Sequence, residues 1–146
     1  MKKFLFILLV ICTIGLLNVQ AQHDHHPDKA AIKGILQQQV FAWNQQNIEG
    51  FMKYYWNSPD LRFVSKNGIT YGWENIKNNY LKSYPTASSM GGLSFEIKAI
   101  DLLSKNDALV VGSWKIKGDN TEKGGYFTLH FKKIKKVWYI VMDHTS

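Results

Sequence analysis

Apolar positions change their spacing along the chain, and each change marks a different kind of element. Residues 4–17 are continuously apolar behind the basic head Met1-Lys2-Lys3. After a polar stretch, Ile32, Ile35, Leu36, Val40 and Trp43 recur at steps of three and four, the stripe of an amphipathic helix, with Asp28 placed to cap its start. Ile48, Phe51, Met52 and Tyr55 continue the same periodicity in a second, shorter helix that Asn47 caps and Ser58-Pro59-Asp60 stops. Two helices joined so closely are expected to pack as a hairpin.

Residues 61–65 and 69–71 flank Lys66-Asn67-Gly68, and Asn-Gly is a strong hairpin signal because both residues tolerate positive φ. They predict a small two-stranded arm. A third helix opens at Gly72-Trp73-Glu74, turns Ile76, Tyr80 and Leu81 toward one face, and closes at Tyr84-Pro85; residues 86–92 read as a loop of small residues. Beyond it the period becomes two: Leu93, Phe95, Ile97; Val110, Trp114, Ile116; Phe127, Leu129, Phe131; Trp138, Ile140, Met142. Four strands with one buried face and short polar connections predict an antiparallel meander.

Composition adds a compartment. Asn18-Val19-Gln20-Ala21 ends the first apolar run with small residues, so residues 1–21 read as a cleavable signal peptide, too short to span a bilayer. The one cysteine, Cys12, falls in that segment behind Ile11, which does not suit lipidation. The expected product is exported, periplasmic or secreted, free of the membrane after cleavage, and stabilised by packing rather than disulfides. Residues 22–27 read as a flexible lead-in, and residues 28–146 as one domain. The crowded His23, Asp24, His25 and His26 are read as a solvated tail rather than a metal site. Without Lys2 and Lys3, 16 basic side chains face 11 acidic ones, a net charge of +5 that favours loose contact with anionic surfaces.

Several stretches carry a family likeness: Trp43-Asn44, Ile48-Glu49-Gly50-Phe51-Met52, Tyr55-Trp56, Thr70-Tyr71-Gly72-Trp73, Tyr84-Pro85, Gly125-Tyr126-Phe127-Thr128-Leu129 and the final run from Trp138 to Ser146. With the element order, they resemble the SnoaL-like branch of the nuclear transport factor 2-like superfamily. The resemblance implies an α+β, cystatin-like cone: three helices on a curved antiparallel sheet, an internal pocket and a homodimer formed through the sheet. It spans isomerases, cyclases and dehydratases as well as noncatalytic modules, so it does not choose a reaction.

Strand parity supplies site candidates. With Trp138, Ile140 and Met142 inward, His144 also points inward, and Asp143 outward unless a bulge shifts the parity. Trp43, Tyr55, Phe63, Trp73, Tyr80, Phe95 and Trp114 are expected to surround His144, an aromatic lining suited to a small apolar or ring-bearing ligand. An enzyme built here would use His144 as base and the hydroxyl of Tyr55 or Tyr80 as oxyanion donor. Against isomerase chemistry, the inner face of the first helix offers Leu36, Val40 and Trp43 and no phenol or carboxylate.

No phosphate-binding glycine loop, fixed metal-ligand set or nucleophile elbow occurs, so no cofactor and no metal are expected. Lys115, Lys117, Lys132, Lys133, Lys135 and Lys136 cluster on strand ends without the glycine-aromatic pattern of a nucleic-acid module, and no nucleic acid is expected as partner. Three readings stay open: an exported small-molecule binder, a cofactor-free acid/base enzyme, and a structural or protein-interaction dimer.

Overall fold

The computed structural model describes residues 26–146; the signal-peptide reading and most of the histidine cluster fall outside them. The elements are α1 (Pro27–Asn44), α2 (Ile48–Met52), β1 (Arg62–Ser65), β2 (Gly68–Tyr71), α3 (Trp73–Ser83), α4 (Ala87–Met90), β3 (Gly92–Leu102), β4 (Asp107–Lys117), β5 (Glu122–Ile134) and β6 (Val137–Thr145). Helices pack on a curved mixed sheet, an α+β architecture.

Helix α1 starts two residues earlier than a cap at Asp28 implies. His26, not Asp28, is the cap: its Nδ1 accepts from the Asp28 amide at 3.2 Å, and Pro27 takes the first helical position, where no N–H is needed. Asp28 is freed for a tertiary role and accepts from the Trp138 indole at 3.0 Å and from the Lys133 ammonium at 2.5 Å. The helix start is thereby tied to the β5–β6 hairpin. At the other end Gln46, with φ 59°, turns the chain into α2, whose Asn47 cap accepts from the Gly50 amide at 2.8 Å.

The sheet order is β2-β1-β6-β5-β4-β3. The β3–β6 meander is antiparallel as its periodicity requires. The expected separate arm is instead the continuation of this sheet, because β1 pairs in parallel with β6 and Phe63 lies beside Asp143. At the opposite edge Asn44 binds β3 through both ends of its side chain, accepting from the Leu93 amide at 2.8 Å and donating to the Leu93 carbonyl at 3.1 Å. The expected loop at residues 86–92 contains α4, a fourth helix, opened by a capping box between Thr86 and Ser89.

Two irregularities decide which side chains face the helices. Lys98 is surplus in β3, so the inward set runs Leu93, Phe95, Ile97 and then Ile100, Leu102. In β6 the pairing sums shift between Phe131–Ile140 and His130–Met142, leaving Val141 without a partner on β5. A surplus residue reverses the alternation beyond it.

Candidate functional site

The helices and the sheet enclose a cavity of about 990 Å³ that opens to solvent. Its walls come from every layer: Gln39 and Trp43 of α1, Phe51 of α2, Tyr55 of the following loop, Tyr80 of α3, and inward side chains of β1 and β3 to β6. Aromatic rings meet edge to face around it, with Trp43 against Phe51 at 5.2 Å, Phe51 against Tyr80 at 5.3 Å and Phe95 against Phe127 at 5.2 Å. These contacts hold the rings in place while leaving their other faces to the cavity.

Asp143 lies among them. It is 4% exposed, and its two carboxylate oxygens accept separate hydroxyl hydrogen bonds, Oδ2 from Tyr55 at 2.7 Å and Oδ1 from Thr145 at 2.6 Å. Tyr55 is positioned by the same strand that carries Asp143. The Ile140 amide donates to the Tyr54 carbonyl at 2.8 Å and the Trp56 amide to the Ile140 carbonyl at 2.9 Å, so the Tyr55 backbone runs as a short parallel strip on β6. Tyr80 lines the same space, and its phenol and that of Tyr55 perturb each other's ionisation.

Burial dominates the electrostatics. Desolvation raises the Asp143 pKa above the usual carboxylate range, although the hydrogen bonds from Thr145 and Tyr55 and the proximity of His144 pull the other way. The Tyr55 and Tyr80 phenols are also pushed up, first by burial and then by the nearby Asp143 charge, so both are neutral hydrogen-bonding groups at neutral pH. The cluster therefore offers a carboxyl that holds its proton more firmly than usual, beside two phenols, in an aromatic enclosure. It can hydrogen-bond a carbonyl or hydroxyl, or exchange a proton with it.

Six of the expected lining residues, Trp43, Tyr55, Phe63, Tyr80, Phe95 and Trp114, do line the cavity. Trp73 does not: it is core, with its indole N–H donating to the Met52 carbonyl at 3.1 Å and the Lys77 ammonium 4.5 Å from its ring centroid. His144 is the larger correction. The surplus Val141 turns it out to solvent and Asp143 in, and Met142 leaves the inner face with it.

Comparisons with known proteins agree with this geometry at the level of fold. No family model matches, and no curated protein matches. Among solved structures, a nuclear transport factor 2-like protein of unknown function from Shewanella oneidensis is 37% identical, with 82% of this chain and 98% of that one aligned at a TM-score of 0.80. The chain belongs to the nuclear transport factor 2-like superfamily. A cystatin-like domain of unknown function from Nostoc punctiforme (19% identity, 82% and 76% covered, TM-score 0.69) shares the fold. So does a ketosteroid isomerase-like protein from Erwinia carotovora (18% identity, 80% and 93% covered, TM-score 0.61).

Within this nuclear transport factor 2-like cone, parity reasoning missed Asp143 and Thr145 because neither faces the helices unless the bulge is known. Gln39 was missed for a different reason. It falls four residues before Trp43 on the buried stripe, is 1% exposed, and donates to the Phe51 carbonyl at 3.1 Å. A polar residue at a buried helical phase was the available signal, and Val40, which was counted in its place, is only half-buried.

Proposed function

We propose that this protein binds a small, apolar, ring-bearing molecule in the aromatic cavity, with one carbonyl or hydroxyl of that molecule seated at the Asp143–Tyr55 pair. The observation that carries the reading is a buried carboxyl placed against a cavity of about 990 Å³ to whose wall nine aromatic side chains contribute. Protein interiors are close-packed, so a space of this size is a poor fit to a purely structural role and a good fit to an occupant. In this reading the protein acts outside the cytoplasm after losing residues 1–21, as a homodimer.

Native mass spectrometry of the protein purified from its own host, with organic extraction, tests the reading by giving mass and occupancy together. A dimer carrying a defined small molecule is the expected result. An empty protein that gains no thermal stability from a panel of apolar compounds overturns it.

A second reading, cofactor-free proton transfer on the bound molecule, is favoured by the raised pKa of Asp143, which suits a carboxyl that both takes and returns a proton. Asp143 replaces His144 as the base in this reading, and the Tyr55 or Tyr80 hydroxyl supports the developing oxyanion. It is tested by deuterium exchange from solvent into the extracted ligand: exchange that depends on Asp143 supports it, and a ligand that keeps all its carbon-bound hydrogen excludes it.

A further inference from the structure

The cavity is polarised from floor to mouth. Its floor holds Asp143, already supplied with two hydroxyl donors and held toward its neutral form by burial. Its mouth holds three lysines from three separate elements: Lys66 in the β1–β2 turn, Lys82 in the last turn of α3, and Lys123 near the start of β5. All three are exposed, and Lys123 lies 5.6 Å from the Tyr84 ring centroid, which holds its ammonium near the opening. Ser65, Asn67, Asn79 and Ser83 add neutral hydrogen-bonding groups nearby.

The acidic side chain at this mouth is Glu122, and its carboxylate is engaged by Lys115 at 3.0 Å. Ser146 is also at the mouth, where its main-chain oxygen accepts from the Trp114 indole at 3.2 Å. The three mouth lysines are thus left facing the opening with no ion pair to any described residue. An occupant long enough to reach from floor to mouth would put a neutral polar atom at Asp143, apolar rings against Trp43 and Phe127, and its outer end among these ammonium groups.

We infer that the cavity selects amphipathic organic anions: a flat apolar body with a carboxylate or similar single anionic group directed at Lys66, Lys82 and Lys123. The inference rests on the ligand-binding reading above and adds a sign of charge to it. A cationic ligand would have to pass the lysines to reach a carboxyl that is already hydrogen-bonded. Exposed ion pairs are individually weak, so the selectivity is modest, salt-sensitive and cumulative over the three lysines.

Calorimetry of the full chain with three isosteric probes, naphthalene-2-carboxylate, naphthalene-2-carboxamide and (2-naphthyl)methylammonium, tests it. The carboxylate is expected to bind about tenfold more tightly than the amide at about 20 mM salt, with that ratio collapsing by about 500 mM. The combined Lys66→Gln, Lys82→Gln, Lys123→Gln variant loses the ratio, whereas Lys105→Gln, an exposed lysine in the β3–β4 turn, keeps it. Equal binding of carboxylate and amide, or tighter binding of the ammonium probe, overturns the charge inference and leaves the cavity reading standing. Binding of none of the three, with no thermal shift, overturns both.

Discussion

The Tyr55 hydroxyl donates to Asp143 Oδ2 at 2.7 Å, joining residues 88 apart in sequence at the floor of the cavity. Tyr55 sits beside β6 through backbone pairing at Ile140, and Asp143 follows on that same strand. The geometry of the pair is thus set by main-chain hydrogen bonds rather than by the aromatic side chains around it.

Asp143 makes stability fall as pH rises. Its pKa in the fold is raised, so above the usual carboxylate value the unfolded chain gives up a proton that the folded chain keeps. Stability contributed by Asp143 is complete in acid and declines by about 1.4 kcal/mol per pH unit from about pH 4 until the buried carboxyl ionises as well. Asp28 acts in the opposite sense, because hydrogen bonds from Lys133 and Trp138 lower its pKa. Urea unfolding of the protein and of Asp143→Asn at a series of pH values separates the two. The variant gains on the wild type as pH rises from about pH 4, while His144→Ala, a change at an exposed position, stays within about 0.5 kcal/mol.

Tyr55→Phe removes the donor to Asp143 Oδ2 and leaves that buried oxygen one partner short. The expected cost is about 1 to 3 kcal/mol. Because the Tyr55 hydrogen bond opposes the desolvation shift, its loss moves the Asp143 pKa further up. The carboxyl carbon chemical shift of Asp143, followed by NMR across a pH titration, reports the change; an unmoved titration contradicts it.

Two tryptophans separate core from cavity. Trp73→Phe loses the hydrogen bond to Met52 and some packing, at a cost of about 1 to 3 kcal/mol, and leaves the affinity for cavity ligands unchanged. Trp114 is only half-buried and lines the cavity, so Trp114→Phe changes ligand affinity more than stability. Paired measurements of unfolding free energy and ligand Kd for both variants check the contrast.

The β5–β6 hairpin turns through Lys135 and Lys136 with φ of 48° and 69°. Two left-handed lysines in a two-residue hairpin occupy the conformation that Asn-Gly adopts with least strain. Replacing them with Lys135→Asn and Lys136→Gly is expected to stabilise the protein by about 1 kcal/mol, read as a higher urea midpoint with unchanged slope. A lower midpoint would mean that the lysine stems contribute packing that outweighs the backbone strain.

Most of the fold is local in origin and therefore readable. The stripe from Ile32 to Trp43 makes α1 and period-two runs make the meander; the β1–β2 hairpin forms where Asn67-Gly68 signals it, though it turns through Lys66-Asn67 and only Gly68, the first residue of β2, takes a positive φ, of 110°. What sequence reading missed is non-local or hidden by a one-residue offset. The parallel pairing of Phe63 beside Asp143 joins distant segments, and nothing in either announces the other. The Thr86–Ser89 capping box was visible, yet it opens a helix of only four residues inside a run of small side chains. The aromatic lining was largely foreseen because ring positions on α1, α3 and β3 to β5 depend on periodicity alone. The ionisable group was not, since its position depends on Val141.

Val141 also bears on how such a cavity could diversify. His144 and Asp143 are consecutive, and one unpaired residue upstream determines which of them faces the cavity. Absorbing Val141 into the regular ladder, rather than deleting it, would shift every later residue by one position and exchange a carboxyl for an imidazole without altering any aromatic side chain of the wall. In a strand of this kind, gaining or losing one bulge at constant sequence length does the work of a double substitution: old wall, new acid or base.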